Sequence, residues 1–196
     1  MWKDKLIEIA KTFDHPAWGF SHFSRVYNLA LELSKTIGQN IDQDALFAAA
    51  YLHDIGALPP YKKDGVDHTK ISIEQCESIL KEIGFPLEKV SIVKDIIKSH
   101  MYYTPPSNQI EAILFHDADT LDFMGIIGIS RILSIVGIDN WTPNLKSAIK
   151  LITKFQKKLI LNLHTEQAQE IGKKRQIEMK NFLEALKKQT NNLEYI

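Results

Sequence analysis

Apolar residues recur three and four positions apart along almost the whole chain, and no alternating apolar/polar run is long enough for a strand. A period near 3.6 suits helices and little else, so the expected fold class is all-α, with about eight or nine helices. The pattern is clean from Ser21: Phe23, Val26, Tyr27, Ala30, Leu33 and Ile37 mark one face, with Ser21 placed to cap the start and Gly38 to end it. Residues 44–55 (DALFAAAYLHDI) are apolar on nearly every side, the mark of a buried central helix, and Gly56 with Pro59-Pro60 stops it. After a polar loop, Asp67 reads as the N-cap of a helix reaching Ile83, ended by Gly84. Pro86 suits the first turn of the next, which carries Val90, Val93, Ile96, Ile97 and His100. Shorter helices are expected at about 110–121 and 125–136, longer ones at about 144–163 and 166–188.

These segments are expected to form one compact helical domain over 1–190. It would have a core at about 20–122, C-terminal helices at about 144–188 and a tail at 191–196. A chain of this length buries roughly 70% of its unfolded surface, enough for a sizeable core. Lys+Arg and Asp+Glu balance at 24 each, which disfavours an extended nucleic-acid surface but leaves room for a small anionic substrate. The single Cys76 excludes an internal disulfide and a Cys-rich zinc site, and it lies between Ile73 and Ile79 at the spacing of a core residue. The N-terminal stretch lacks a signal-type apolar run, and the densest apolar segment, 126–138, is short and contains Arg131. No membrane association and a cytoplasmic location are therefore expected.

Against this apolar background the polar residues stand out. His53-Asp54 closes the most apolar segment; read blandly, Asp54 caps a turn and His53 is a satisfied core imidazole. Adjacent positions on a helix point about 100° apart, however, so both converge only on something at the helix edge, and a metal ion fits. His22, His53, His68, His100 and His116 fall in separate predicted helices or at their starts, each beside apolar neighbours. Buried imidazoles from several helices need partners, and one shared cation would serve. His116, Asp119 and Asp122 lie at i, i+3 and i+6 on one face of an otherwise apolar stretch. His15 and His164 read as serving local structure.

The order His22, His53-Asp54, Asp119 resembles the HD-domain metal-dependent phosphohydrolases, whose signature is a lone His, an HD doublet and a distant Asp on helices. The flanks are similar too: SHFSRVYNLALELS to the H-x-x-R-V-x-x-x-A opening, AAAYLHDIG to the doublet helix, and FHDADTLDFMGIIGISRIL to the DAD-x-LD segment. LHTEQAQEIGKKRQIEMKNFLEAL is similar to the last helix of one subgroup, so the resemblance runs from about 21 to 186. It implies that His22, His53, Asp54 and Asp119 are metal ligands, with Asp117 beside them. It gives His68 and His100 as pocket residues or holders of a second metal. One departure is that HDIGALPPYKKDG replaces the acidic residue and lysine often found after the doublet; Lys62 and Lys63 are candidates for an equivalent phosphate contact.

The activity implied is hydrolysis of a phosphoester or phosphoanhydride in a small substrate, a nucleotide above all. A mixed His/carboxylate set suits Mn, Fe, Co, Ni, Mg or Zn without choosing among them. Asp54 is placed to orient or deprotonate the attacking water. Arg25, Lys62, Lys63, Arg131 and Arg175 are candidates to neutralise the phosphate, although Arg131 is as well explained by pairing with Asp122. Trp18, Phe20, Tyr61, Tyr102, Tyr103 and Trp141 would stack a nucleobase if several met over the pocket. Two other classes compete: an HD-fold binding or sensing module without turnover, and a di-iron oxygenase on a related scaffold, which would need His68 and His100 for its second metal.

Overall fold

The computed structural model describes all 196 residues as nine α-helices joined by turns, with no strand. They are α1 (Trp2–Lys11), α2 (Phe20–Ser34), α3 (Gln43–Leu52), α4 (His68–Ile83), α5 (Val90–Lys98), α6 (Ile110–Asp122), α7 (Gly125–Ser134), α8 (Leu145–Lys158) and α9 (Glu166–Gln189). Short 3-10 turns occupy Ile55–Ala57, Leu87–Lys89 and Leu159–Asn162. The helices gather into two compact units, residues 1–119 and 120–196.

In the first unit α3 is central: every residue from Ala45 to Leu52 is buried, and the helix packs against α1, α2 and α5. An all-round apolar sequence can be satisfied only in such a position. Its start is fixed by Asp42, whose carboxylate accepts from the Asp44 and Ala45 amides at 3.1 and 3.0 Å. The Asp42 amide donates to Glu111 at 2.7 Å, and Lys89 Nζ reaches both Asp42 and Asp44 at 3.0 and 3.1 Å. This cluster ties the starts of α3 and α6 to the turn entering α5. Asp67 caps α4 through the Thr69 amide, and Gly84 ends it at φ +83°, a left-handed turn that favours glycine.

Several boundaries differ from the sequence expectation: α2 ends at Ser34 instead of running to Gly38, and α5 ends at Lys98, which leaves His100 beyond the helix. Helix α2 starts at Phe20 with Gly19 as its cap, leaving Ser21 inside. The preceding loop folds back so tightly that a Cβ on Gly19 would lie 2.6 Å from the His15 amide nitrogen and 2.7 Å from the Phe13 carbonyl. Helix α3 ends at Leu52, so the His53-Asp54 doublet follows the helix instead of riding on it. Helix α1, which the sequence reading did not delimit, buries Leu6 and Ala10 and sets Trp2 edge-on against Phe47 and Phe85.

In the second unit α7, α8 and α9 pack on one another, with Ile149, Ile152, Phe155, Met179 and Leu183 among the buried side chains. Gly128 lets α7 lie against the chain before it, since a Cβ there would sit 2.2 Å from the Phe123 carbonyl. Arg131 pairs with Asp122 at 2.9 Å, both side chains almost wholly buried, and stacks its guanidinium 4.2 Å from the Phe123 ring centre. After α9 the chain turns back, Asn192 and Tyr195 donating to the carbonyls of Lys187 and Thr190. No helix is long and apolar enough to cross a membrane.

Cys76 is a core residue of α4, as its spacing predicts, and burial pushes its thiol up to about 11. Because the shift is upward, the thiol stays protonated across the neutral range; at pH 8 only about one molecule in 1,000 carries the thiolate. An aromatic disulfide reagent at pH 8 should therefore react with the folded protein at least roughly 100-fold more slowly than with the denatured chain.

Candidate metal centre

The apolar helix α3 stops where its sequence turns polar. His53 is its C-cap, and Asp54 leaves the helix with φ −105° and ψ 4°, the sparsely populated bridge region. This departure lets two adjacent side chains face one another across a small space, which continuous helix would not. His22 arrives from the first turn of α2, His68 from the first residue of α4, His100 from just past α5, and Asp119 from α6.

The six side chains form two groups meeting at Asp54. On one side His22, His53 and Asp119 converge: the two Nε2 atoms are 3.1 Å apart, and Asp119 Oδ1 lies 3.3 Å from His22 Nε2 and 4.0 Å from His53 Nε2. Asp54 Oδ2 completes this group at 3.5 Å from both imidazoles. On the other side Asp54 Oδ1 stands 3.3 Å from His68 Nε2 and 3.3 Å from His100 Nε2, which are themselves 3.3 Å apart. One carboxylate thus faces each group with a different oxygen.

The donor atoms fit a cation. His53 Nδ1 donates to the Ala50 carbonyl at 2.9 Å and His100 Nδ1 to the Ile97 carbonyl at 2.7 Å. A carbonyl only accepts, so either ring when neutral keeps its proton on Nδ1 and offers its Nε2 lone pair to the centre. Burial lowers His100, but the Asp54 carboxylate beside it raises it overall. Burial pushes His53 down to about 4, so it is neutral at ordinary pH. Asp119 Oδ1 is buried without a hydrogen-bond partner, an expensive state for a carboxylate oxygen unless a cation meets it. Ligands about 2.1 Å from an ion lie about 3.0–3.4 Å from one another, close to most of the separations here. Burial alone would raise Asp54, but the imidazoles around it, His53 foremost, hold the carboxyl well below its ordinary range. Asp119 is likewise lowered against its burial, chiefly by His22. Both would therefore meet a cation as carboxylates.

One feature of the site was not visible in the residue pattern. Gly56 lets α4 approach: a Cβ there would lie 2.2 Å from the His68 carbonyl, and the Gly56 amide donates to the buried Ser72 hydroxyl at 3.0 Å. Glycine at 56 thus sets how near His68 comes to Asp54. Gly56→Ala should cost about 1–3 kcal/mol of stability through overpacking and weaken metal binding on the His68 side, measured by thermal melting and metal analysis together. His116, which the sequence offered as a partner in the shared cation, lies outside both groups; its Nδ1 donates to the Ser99 carbonyl at 2.9 Å.

Arg25 is half-buried one turn after His22, while Lys62 and Lys63 are exposed on the loop before α4. In the second unit Arg131 is engaged by Asp122, and Arg175 Nη1 donates to the Leu121 carbonyl at 2.6 Å. Among the aromatic candidates Trp18 pairs with His15, Phe20 with Tyr51, Tyr61 with Phe13, Tyr102 with Tyr103, and Trp141 with Phe123. His15 serves its own turn, Nδ1 accepting from the Ala17 and Trp18 amides.

The HD-domain family model matches residues 19–124, more than half of the chain and the whole of the six-residue centre. The chain belongs to the HD-domain family, and its fold is that of HD-superfamily hydrolases. Among solved structures, Bacillus subtilis YpgQ in complex with ADP is 23% identical with a TM-score of 0.70, covering 95% of this chain and 97% of that one. The Lin1889 protein from Listeria innocua is 26% identical with a TM-score of 0.65, covering 99% and 100%. A predicted HD-superfamily hydrolase from an uncultured Thermotogales bacterium is 26% identical with a TM-score of 0.63, covering 94% and 88%. No curated protein matches the chain significantly.

Proposed function

We propose that the protein is a metal-dependent phosphohydrolase acting on a small phosphorylated substrate, a nucleotide first among them. The observation that carries this reading is Asp54, one carboxylate presenting separate oxygens to two groups of imidazoles. His22, His53, Asp54 and Asp119 would hold one divalent ion, and Asp54, His68 and His100 a second. Bound there, divalent ions supply Lewis acidity toward a phosphoryl oxygen and acidify the attacking water.

The chain's own residues then have distinct tasks. The backbone carbonyls of Ala50 and Ile97 keep His53 and His100 in the tautomer that offers Nε2. Asp54, 8% exposed and so the most accessible ligand after His68, would orient the attacking water or take its proton. Arg25, Lys62 and Lys63 are the cations for the phosphate; Arg25 can bind it through two parallel hydrogen bonds, and the lysines can close on it from their loop. The ADP held by the YpgQ structure, a protein of the same fold, makes nucleotides the first substrate class to test.

The test is a panel of nucleotides and simple phosphoesters assayed with Mn, Co, Ni, Mg, Zn and Fe, reading phosphate against pyrophosphate release. Metal-dependent turnover lost in His53→Ala is the expected result. Hydrolysis unchanged by that substitution would sink the reading. Two bound irons without phosphate release would favour the oxygenase, and metal binding without any turnover the sensing module.

A further inference from the structure

We infer that His116 is a positioning residue, which holds His100 in its place at the metal centre through the Ser99 carbonyl. The inference rests on the two-ion reading of the site given above.

His116 is 1% exposed and lies three residues before Asp119 on the same face of α6. It is not itself in either group around Asp54. Its Nδ1 donates to the Ser99 carbonyl at 2.9 Å, and Ser99 is the cap of α5 and the residue directly before His100. At a helix end the last carbonyls lack intrahelical partners, and a buried one needs a donor from outside. His116 supplies it.

The peptide leading into His100 is thereby held on three sides. The Ser99 amide donates to the Ile96 carbonyl at 3.3 Å, its carbonyl is held by His116, and the His100 ring donates to the Ile97 carbonyl at 2.7 Å. Ser99 Oγ adds a bond to the Asp95 carbonyl at 3.1 Å. Next to His116, Phe115 packs edge-on against the His53 ring at 5.2 Å, and His53 in turn lies 5.0 Å from His100. One turn of α6 therefore places Asp119 directly and His100 at one remove, and it sets the spacing between the two halves of the centre. An apolar residue would fill the same volume but leave the Ser99 carbonyl unmet and the peptide entering His100 without its one carbonyl-side hold.

The test compares the full-length protein with His116→Leu and His116→Gln, measuring Mn²⁺ bound per chain by equilibrium dialysis together with thermal melting. Wild type should bind two ions. His116→Leu should keep the first and bind the second at least about 10-fold more weakly, the usual effect of losing a ligand's outer support. His116→Gln, whose amide can still donate to Ser99, should restore it. His116→Met is a second donor-free variant in case leucine prevents folding. Unchanged affinities for both ions in a donor-free variant overturn the inference, whatever the melting temperature does. So does failure of both donor-free variants to fold while His116→Gln folds normally, since the role would then be structural. A wild type that binds one ion and still hydrolyses nucleotides refutes this inference and leaves the proposed function standing. No ion and no hydrolysis refutes both.

Discussion

Asp54→Ala is expected to lower hydrolysis by about 10³-fold or more and to deplete metal on both sides of the centre at once. The reason lies in its two oxygens: Oδ2 faces His22 and His53, and Oδ1 faces His68 and His100. His68→Ala should behave differently, weakening the Asp54/His68/His100 group while leaving His22, His53 and Asp119 intact. Asp54→Asn separates charge from shape, because the amide keeps the volume but loses the negative charge and replaces an acceptor with a donor. Metal analysis of the three purified variants beside phosphate release distinguishes these cases. Equal metal loss in Asp54→Ala and His68→Ala would contradict the shared-carboxylate arrangement.

The largest expected effect on stability lies in the second unit. Asp122→Ala leaves the Arg131 guanidinium buried without its carboxylate, and removing one partner of such a pair costs about 3–5 kcal/mol. For a chain of this size that is a fall of roughly 10 °C in Tm. The double substitution Asp122→Ala with Arg131→Met should recover much of the loss, because no charge is then left stranded. Melting curves of the single and double variants decide it, and a double variant less stable than Asp122→Ala would be the contrary result.

Much of the first unit was legible because its signals are local. Asp67 and Gly84 bound α4 as their residue types predict, and the polar residues that now converge could be picked out against apolar surroundings. The split of Asp54 was not legible. It depends on the backbone leaving α3 after Leu52, a tertiary outcome that helical spacing continuing to Ile55 does not announce. The Gly19 start of α2 was hidden for a similar reason, since it follows from the loop folding back onto it. Arg131 illustrates a residue with two sequence readings, phosphate contact or partner of Asp122, between which only geometry decides. Arg25, Lys62 and Lys63 stay as candidates because loop and surface cations acquire a role only from what binds near them.

The bridging position of Asp54 has a thermodynamic consequence. A carboxylate shared between two cations makes their binding one linked equilibrium: the first ion draws charge from the oxygen offered to the second, and the effect is the same in either order. Two like charges held this close also repel. Titration with a divalent ion should therefore give two steps of unequal affinity in place of a single hyperbola, read by calorimetry. Conversely, anything that carries negative charge to the pair, a phosphate included, should tighten the weaker step. On that account a phosphorylated substrate would itself be an effector of metal occupancy.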